Sequence, residues 1–244
     1  MFASRRRFAG LVLGLALALV LPGFAAATHS WGGYHWARQA NPFTLKLGDN
    51  VTSTWDPILA TTSSDWSMSA VLNTTIVAGS ANPRTCKATT GMVQVCNASY
   101  GNNGWLGVAG ISITGGVHIT KAYVKLNDYY FNQAQYNTTP WRNLVSCQEV
   151  GHTFGLDHQD TDFNNANLGT CMDYTSNPAG PPSNEHPNTH DYEELVTIST
   201  HTDSSTTAGA AVPNGAAAGA VQSEWARAVA RRTAAVTPRL LAVA

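Results

Sequence analysis

Residues 148–158 read QEVGHTFGLDH, a stretch that combines helical spacing of polar residues with a glycine stop. Gln148 and His152 are four positions apart, so on an α-helix their side chains lie on one face, one turn apart. Gly155 can adopt the left-handed conformation that ends a helix, which would turn the chain and bring His158 back toward His152. The segment therefore predicts three convergent side chains with donor atoms at the end of a helix.

The residues before this segment predict where the helix begins. Thr138 and Thr139 are good N-caps, and Pro140 is tolerated in a first helical turn. Apolar residues then recur at helical spacing, namely Trp141, Leu144 and Val145. We therefore expect residues 148–152 to lie on the back half of a helix that begins near residue 140.

The residue types in the segment suit a hydrolytic metal site. His152 and His158 offer imidazole nitrogens and Gln148 offers an amide oxygen, and three protein ligands would leave one position for water. Glu149 is displaced by about a hundred degrees from Gln148 around the helix, where it can touch that water without binding the metal. The pattern predicts Glu149 as the general base that takes the proton of the water and later delivers it to a leaving amine.

The segment resembles the motif of the metzincin metallopeptidases, in particular their matrixin and gametolysin-like members. That motif is HExxHxxGxxH, and Glu149, His152, Gly155 and His158 match it. The resemblance implies that His152, His158 and the residue at position 148 hold the metal. It also implies a metalloendopeptidase that hydrolyses peptide bonds through a metal-activated water.

A second segment, residues 170–174, reads TCMDY and resembles the methionine turn of the same family. The resemblance makes Met172 the floor beneath the metal. It makes Tyr174 the residue that, in astacin-like and serralysin-like members, reaches the metal or the transition-state oxyanion. The likeness spans residues 35–200 and implies an α+β zincin catalytic domain, with a mixed twisted sheet, a motif helix and a C-terminal helix.

Gln148 departs from the family pattern, which has histidine at this position. An amide oxygen is a weaker ligand for zinc than an imidazole nitrogen, so metal affinity should fall and metal preference can change. Members with glutamine first occur in the gametolysin-like branch. Zinc is the expected metal. The alternatives are copper, or zinc that is held by only two histidines and water. The rival functions are a weakened or inactive peptide-binding protein and a hydrolase for a non-peptide bond.

The rest of the chain predicts strands and two further helices. The alternation of Phe43, Leu45 and Leu47 indicates a strand, and residues 54–66 have helical spacing. Runs rich in Val, Ile, Thr and aromatic residues predict strands at 71–77, 92–96, 105–113 and 118–126. Residues 164–187 should be irregular. A last helix should begin at 188–191, with Asp191 and Glu194 in a capping-box relation.

The ends of the chain differ in composition from its middle. Three arginines precede an apolar run at residues 8–20 and a small-residue site at 25–27, which is typical of an export signal; an uncleaved anchor is the alternative. We expect a signal peptide over 1–27, the metallopeptidase domain over 28–201, and an Ala/Gly/Ser-rich linker and tail over 202–244. The mature protein should be secreted, either extracellular or periplasmic.

Four cysteines are present, and in an exported chain they should form disulfides. Of the three pairings that four cysteines allow, we favour Cys86 with Cys96, which would staple a hairpin. The second pair, Cys147 with Cys171, would tie the motif helix to residues 170–174. A four-cysteine zinc site is the rival interpretation, but no C-x-x-C spacing occurs.

The charge balance restricts the partners. The formal net charge is -1, from 14 Lys+Arg and 15 Asp+Glu, so nucleic acid is not an expected partner. We expect a protein or peptide substrate, no membrane contact after signal cleavage, and a monomer. The other histidines, which are usually surface or capping residues, are His29, His35, His118, His186, His190 and His201. Two of them, His118 and His190, could replace Gln148 as a ligand.

Overall fold

The computed structural model describes residues 28–209 and 219–222. The predicted signal peptide, residues 1–27, and most of the predicted tail lie outside the described residues. No helix within the described ranges is both long enough and apolar enough to cross a membrane.

A seven-stranded mixed sheet forms the centre of the molecule, with the strands in the order β3-β2-β4-β6-β5-β7 and with β1 paired to β6. Strands β1 to β4 and β6 run parallel, whereas β5 is antiparallel to both β6 and β7. The strands are β1 (His35–Trp36), β2 (Phe43–Asn50), β3 (Leu72–Ala78), β4 (Met92–Ala98), β5 (Gly107–Thr114), β6 (His118–Asn127) and β7 (Gly219–Gln222). The predicted mixed sheet is confirmed.

The central strands carry the core. Leu45 and Leu47 of β2 are fully buried, as are Val93 and Val95 of β4. In β6 the buried apolar residues are Ile119, Ala122, Val124 and Leu126. Strands of a parallel sheet are covered on both faces, which explains why these runs contain so many aliphatic residues.

The helices are α1 (Asp56–Trp66), α2 (Asp128–Phe131), α3 (Thr139–His152) and α4 (Thr189–Ile198). The single turn of α2 was not predicted. Helix α3 begins as expected, with the side chain of Thr138 accepting a hydrogen bond from the amide of Trp141. Helix α1 packs on α3, and the indole of Trp66 donates to the carbonyl of Cys147 at 3.1 Å. This packing fixes the helix that carries the motif.

The cap of α4 differs from the prediction. The capping box is formed by Asn188 and Asp191, whereas Asp191 and Glu194 were expected to form it. The helix begins immediately after Asn188, so Asn188 is its cap and Asp191 its third residue. Glu194 instead accepts a hydrogen bond from the hydroxyl of Thr28 at 2.8 Å.

Two disulfides join the pairs that the sequence favours. Cys86 is bonded to Cys96, and Cys147 is bonded to Cys171. None of the cysteines in the described part of the chain is free. Two disulfides are compatible with an oxidising, extracytoplasmic compartment.

Residues 202–209, which the composition assigns to a linker, lie along the segment that leads out of β1. The amide of Asp203 donates to the carbonyl of Arg38 at 2.7 Å, and the amide and hydroxyl of Thr207 bond the backbone of Ala37. Further on, β7 pairs with β5. The small residues of this stretch therefore do not prevent ordered contacts with the sheet.

Gly155 ends the motif helix in the left-handed conformation, as predicted, with φ 98°. A Cβ at this position would collide with the carbonyl oxygen of Tyr34. The carbonyl of Gly155 also accepts a hydrogen bond from the amide of Trp31 at 2.7 Å. The position therefore needs glycine both for its backbone angle and for the close approach of a second segment.

We expect Gly155→Ala to lower the free energy of unfolding by about 3 kcal/mol. Alanine would be strained in the left-handed conformation, and its Cβ would collide with the backbone of Tyr34. Gly116→Ala is the matched control, because Gly116 has φ 88° and a Cβ added there would meet nothing within 4 Å. It should cost only about 1 kcal/mol. Urea unfolding of both variants measures the difference, and equal losses would contradict the close approach at Gly155.

Candidate metal centre

The two motif histidines meet at the end of α3. His152 is the last residue of the helix, and the turn through Gly155 returns the chain so that His158 faces it. Their Nε2 atoms are 3.1 Å apart, and both side chains are buried. Two nitrogen ligands at about 2.0–2.1 Å from one tetrahedral ion would be about 3.3 Å apart. The histidine pair is therefore close to the separation that a shared ion requires.

In each ring, Nδ1 has an outer acceptor, and this contact determines that Nε2 faces the other histidine. Nδ1 of His152 is 2.8 Å from the carbonyl oxygen of Leu156, so it must carry the hydrogen. Nδ1 of His158 is 3.3 Å from a carboxylate oxygen of Asp157. Both rings thus direct Nε2 inward, and an outer acceptor orients each imidazole, as is typical of histidine metal ligands.

Burial keeps both imidazoles neutral. Burial and the neighbouring imidazole of His158 lower the pKa of His152 to about 3. Burial also lowers the pKa of His158, although its contact with Asp157 acts in the opposite direction. Neutral imidazole is the form that binds metal ions, so the pair is in the right protonation state near neutral pH.

Gln148 lies one turn earlier on α3 and is buried. Its Nε2 is 2.7 Å from the carbonyl oxygen of Cys171 and 3.4 Å from that of Asp173. Carbonyl oxygens accept only from N–H or O–H donors, so the amide nitrogen must face them. The amide oxygen Oε1 is buried and has no hydrogen-bond partner among the described residues. An orphaned buried oxygen is costly unless another group, such as a cation, occupies its free side.

Met172 packs against α3 beside Gly151. It is fully buried, and its sulfur is 2.7 Å from where a Cβ of Gly151 would lie. The turn at residues 170–174 is joined to α3 by the disulfide between Cys147 and Cys171 and by the amide of Gln148. Residues 170–174 are therefore attached to the helix at two adjacent positions, Cys147 and Gln148.

Asp191 supports the turn from the other side, and sequence analysis assigned it only a capping role. Its two carboxylate oxygens accept from the hydroxyl of Thr170 at 2.5 Å and from the amide of Gln159 at 2.8 Å. The imidazole of His29 lies 3.1 Å from the same carboxylate. Because Asp191 is fully buried, these contacts fix the start of α4 against residues 170–174 and the loop after His158. A capping-box pattern is local, so it does not predict contacts between residues that are far apart in sequence.

Glu149 is buried beside Gln148, against the first residue of β5. A Cβ added to Gly107 would lie 2.9 Å from its Oε1. Glycine at position 107 therefore leaves the space that the carboxylate needs. The structure brings Glu149 to the same end of α3 as the histidine pair.

Tyr174 packs directly on His158, with ring centroids 4.4 Å apart. Phe163 also contacts Tyr174, with ring centroids 4.7 Å apart. Trp31 contacts His152, with ring centroids 5.9 Å apart. Aromatic residues from two separate segments, Trp31 and Tyr174, thus border the histidine pair.

Neither alternative ligand lies in this centre. His190 stacks on His29 at 4.8 Å, and His118 contacts Asp203 and His35. The expectation that His29 and His35 are surface residues was wrong, because both are buried.

The donor set at this centre fits a divalent transition metal. Two imidazole nitrogens and one amide oxygen are ligands that zinc and copper accept, and the orphaned oxygen of Gln148 would gain a partner. Residues 148, 152 and 158 are therefore the ones that would hold the ion.

No protein-family model matches this sequence, and no curated protein matches it. Among solved structures, the chain is similar to that of myroilysin, with a TM-score of 0.38 and 11% sequence identity. The match covers 66% of this chain and 95% of that chain.

The disulfide at the centre should control the order of the methionine turn. Replacing Cys147 and Cys171 by alanine should lower the free energy of unfolding by about 3 kcal/mol and speed amide hydrogen exchange in residues 170–174. The matched control replaces Cys86 and Cys96, which should cost a similar free energy but leave exchange in residues 170–174 unchanged. Mass spectrometry of exchanged peptides checks this, and equal protection in the two variants would contradict it.

Proposed function

We propose that this protein is an exported metalloendopeptidase of the metzincin type, with its active site at the end of α3. One observation carries the proposal: the Nε2 atoms of His152 and His158 converge to 3.1 Å, one helical turn from the orphaned oxygen of Gln148. Paired neutral imidazoles beside a buried oxygen are typical of a metal centre. The two disulfides support an extracytoplasmic location.

His152, His158 and Gln148 would hold the ion, with zinc as the expected metal and copper as the alternative. A bound divalent ion polarises a carbonyl and lowers the pKa of water. Asp157 and the carbonyl of Leu156 keep the two rings oriented. The carbonyl of Cys171 holds the amide of Gln148, so that its oxygen faces the opposite way.

Glu149 is the general base in this proposal. Its carboxylate takes the proton of the attacking water and then gives it to the amine of the departing peptide. Tyr174, which packs on His158, is the donor that stabilises the developing oxyanion. Burial of both side chains keeps bulk water from competing with these transfers.

The proposed substrate is a protein or peptide. We propose neither nucleic acid nor a membrane as a partner, and we propose that the enzyme is a monomer. The near-neutral charge supports the exclusion of nucleic acid, because the formal net charge is only -1.

The decisive variant is Glu149→Gln, which replaces one carboxylate oxygen by an amide nitrogen and preserves the shape of the side chain. Peptidase activity on a casein substrate should fall by about 10²–10⁴-fold, because the base is lost. The bound metal should remain. Glu193→Gln is the matched control, because Glu193 is exposed on α4, and it should keep full activity.

Equal activity in Glu149→Gln and wild type would overturn the enzyme proposal. Metal content, measured on the same samples, separates loss of the base from loss of the ion. A wild-type protein that binds peptide but cleaves none would favour the peptide-binding protein instead.

Position 148 should set the metal preference. Gln148→His should bind zinc at least about tenfold more tightly than wild type, because imidazole is the stronger ligand, whereas Gln148→Leu should bind it more weakly. Titration with zinc and with copper, in parallel with peptidase assays, measures both effects. If all three proteins bind the metals equally, residue 148 is not a ligand.

A further inference from the structure

A second group of donor atoms lies where β1, β6 and the segment after α4 meet. We call it the three-histidine cluster: His35, His118, His201 and Asp203. His35 and His118 are register partners in the parallel pair of β1 and β6. His201 and Asp203 follow α4 and reach the same place. None of these residues belongs to the centre on α3.

The donor atoms of His35, His118 and Asp203 lie within 4.8 Å of one another, and His201 lies beside two of these residues. Oδ1 of Asp203 is 3.1 Å from Nε2 of His118, 3.6 Å from Nε2 of His201 and 3.8 Å from Nε2 of His35. Nε2 of His201 is 3.2 Å from Nε2 of His35. A tetrahedral ion with bonds of about 2.0–2.1 Å has ligand atoms about 3.3 Å apart. Four of the donor separations thus bracket the value that an ion needs.

The outer contacts of the cluster direct the right atoms inward. Nδ1 of His35 is 2.9 Å from the carbonyl oxygen of Gly33, so Nδ1 carries the hydrogen and Nε2 carries the lone pair. The other carboxylate oxygen of Asp203, Oδ2, accepts from the backbone amide of Arg38 at 3.0 Å. Oδ1 is therefore the oxygen left for the cluster. Such outer partners are typical of metal ligands.

We propose that the three-histidine cluster is a structural metal site for Zn²⁺ or a transition ion of similar preference. His35, His118 and Asp203 offer three ligand atoms within 4.8 Å of one another. The half-exposed His201, beside His35 and Asp203, would turn in as the fourth ligand, which leaves no position for substrate or catalytic water. A site closed in this way stabilises structure and does not act as a second catalytic centre. This site is independent of the function proposed for the centre on α3.

The position of the cluster indicates what the ion would do. It would join the segment after α4 to two parallel strands that are far away in sequence. That segment already bonds the backbone of Ala37 and Arg38, and the guanidinium of Arg38 donates to the carbonyl of His201 at 2.8 Å. An ion bound only by the folded chain stabilises it by mass action. Zinc should therefore raise the melting temperature and hold the segment after α4 in place.

The test uses the full exported chain, stripped with a chelator and titrated with Zn²⁺ alone. Bound zinc is measured by elemental analysis, and the melting temperature is measured on the same samples. The variant His152→Ala/His158→Ala removes the centre on α3 and should still bind one zinc per chain, with a rise of several degrees in melting temperature. With Co²⁺ in place of zinc, the same variant should show the intense visible absorption of tetrahedral cobalt.

His118→Ala in that background should weaken the remaining zinc site by at least tenfold and remove most of the thermal shift. His186→Ala is the matched control, because His186 also pairs with one aspartate, Asp65, but lies outside both sites. It should change neither quantity. His201→Ala provides a second ligand variant at a half-exposed position, so that the test does not depend on a buried substitution.

Two outcomes would overturn the proposal. One is that the His152→Ala/His158→Ala variant binds no zinc, which would make the cluster a hydrogen-bonded network only. The other is that neither His118→Ala nor His201→Ala changes the affinity of that variant for zinc. Failure of the proposed peptidase would look different: the wild type would bind a single zinc, and that zinc would be lost with His118.

Discussion

The left-handed turn at Gly155 is the constraint on which the histidine pair and the entry of the chain into the sheet depend. Its backbone angle returns the chain after α3, so that His158 meets His152. The absence of a side chain lets the carbonyl of Tyr34 approach, and Trp31 bonds the carbonyl of Gly155. The same contact places the N-terminal segment beside the histidine pair, immediately before it enters β1. A single glycine therefore sets the geometry of the site and the entry into the sheet.

The opposite wall of the site depends on covalent and hydrogen-bonded links to the methionine turn. Gln148 is central here, because its amide nitrogen holds the carbonyl of Cys171 and its oxygen is left without a partner among the described residues. A glutamine can satisfy the turn and offer a ligand atom at the same time. In the proposed site, position 148 would combine these two roles, so that a weaker ligand would be compatible with an intact centre.

Much of the fold follows from local signals in the sequence. Thr138, Pro140 and Gly155 predict the bounds of α3, and the aliphatic runs predict strands β2 to β6. The convergence of His152 and His158 follows from helical spacing and one glycine. The structure brings these residues together, while their roles as ligands and that of Glu149 as base stay predictions.

Long-range contacts could not be predicted in this way. The three histidines of the cluster are far apart in sequence and share no spacing, so only the pairing of β1 with β6 brings two of them together. The contacts of residues 202–209 are backbone bonds and small hydroxyls, which an Ala/Gly/Ser/Thr composition does not reveal. Asp191 matched a capping pattern, but its bonds to Thr170 and Gln159 depend on the tertiary fold.

The central claim is that residues 148, 152 and 158 together hold a metal ion. Anomalous X-ray diffraction from crystals soaked in zinc, and separately in copper, tests it most directly. We expect a strong peak bonded to Nε2 of His152, Nε2 of His158 and Oε1 of Gln148. Crystals that show no anomalous peak between the two histidines at either absorption edge would contradict it.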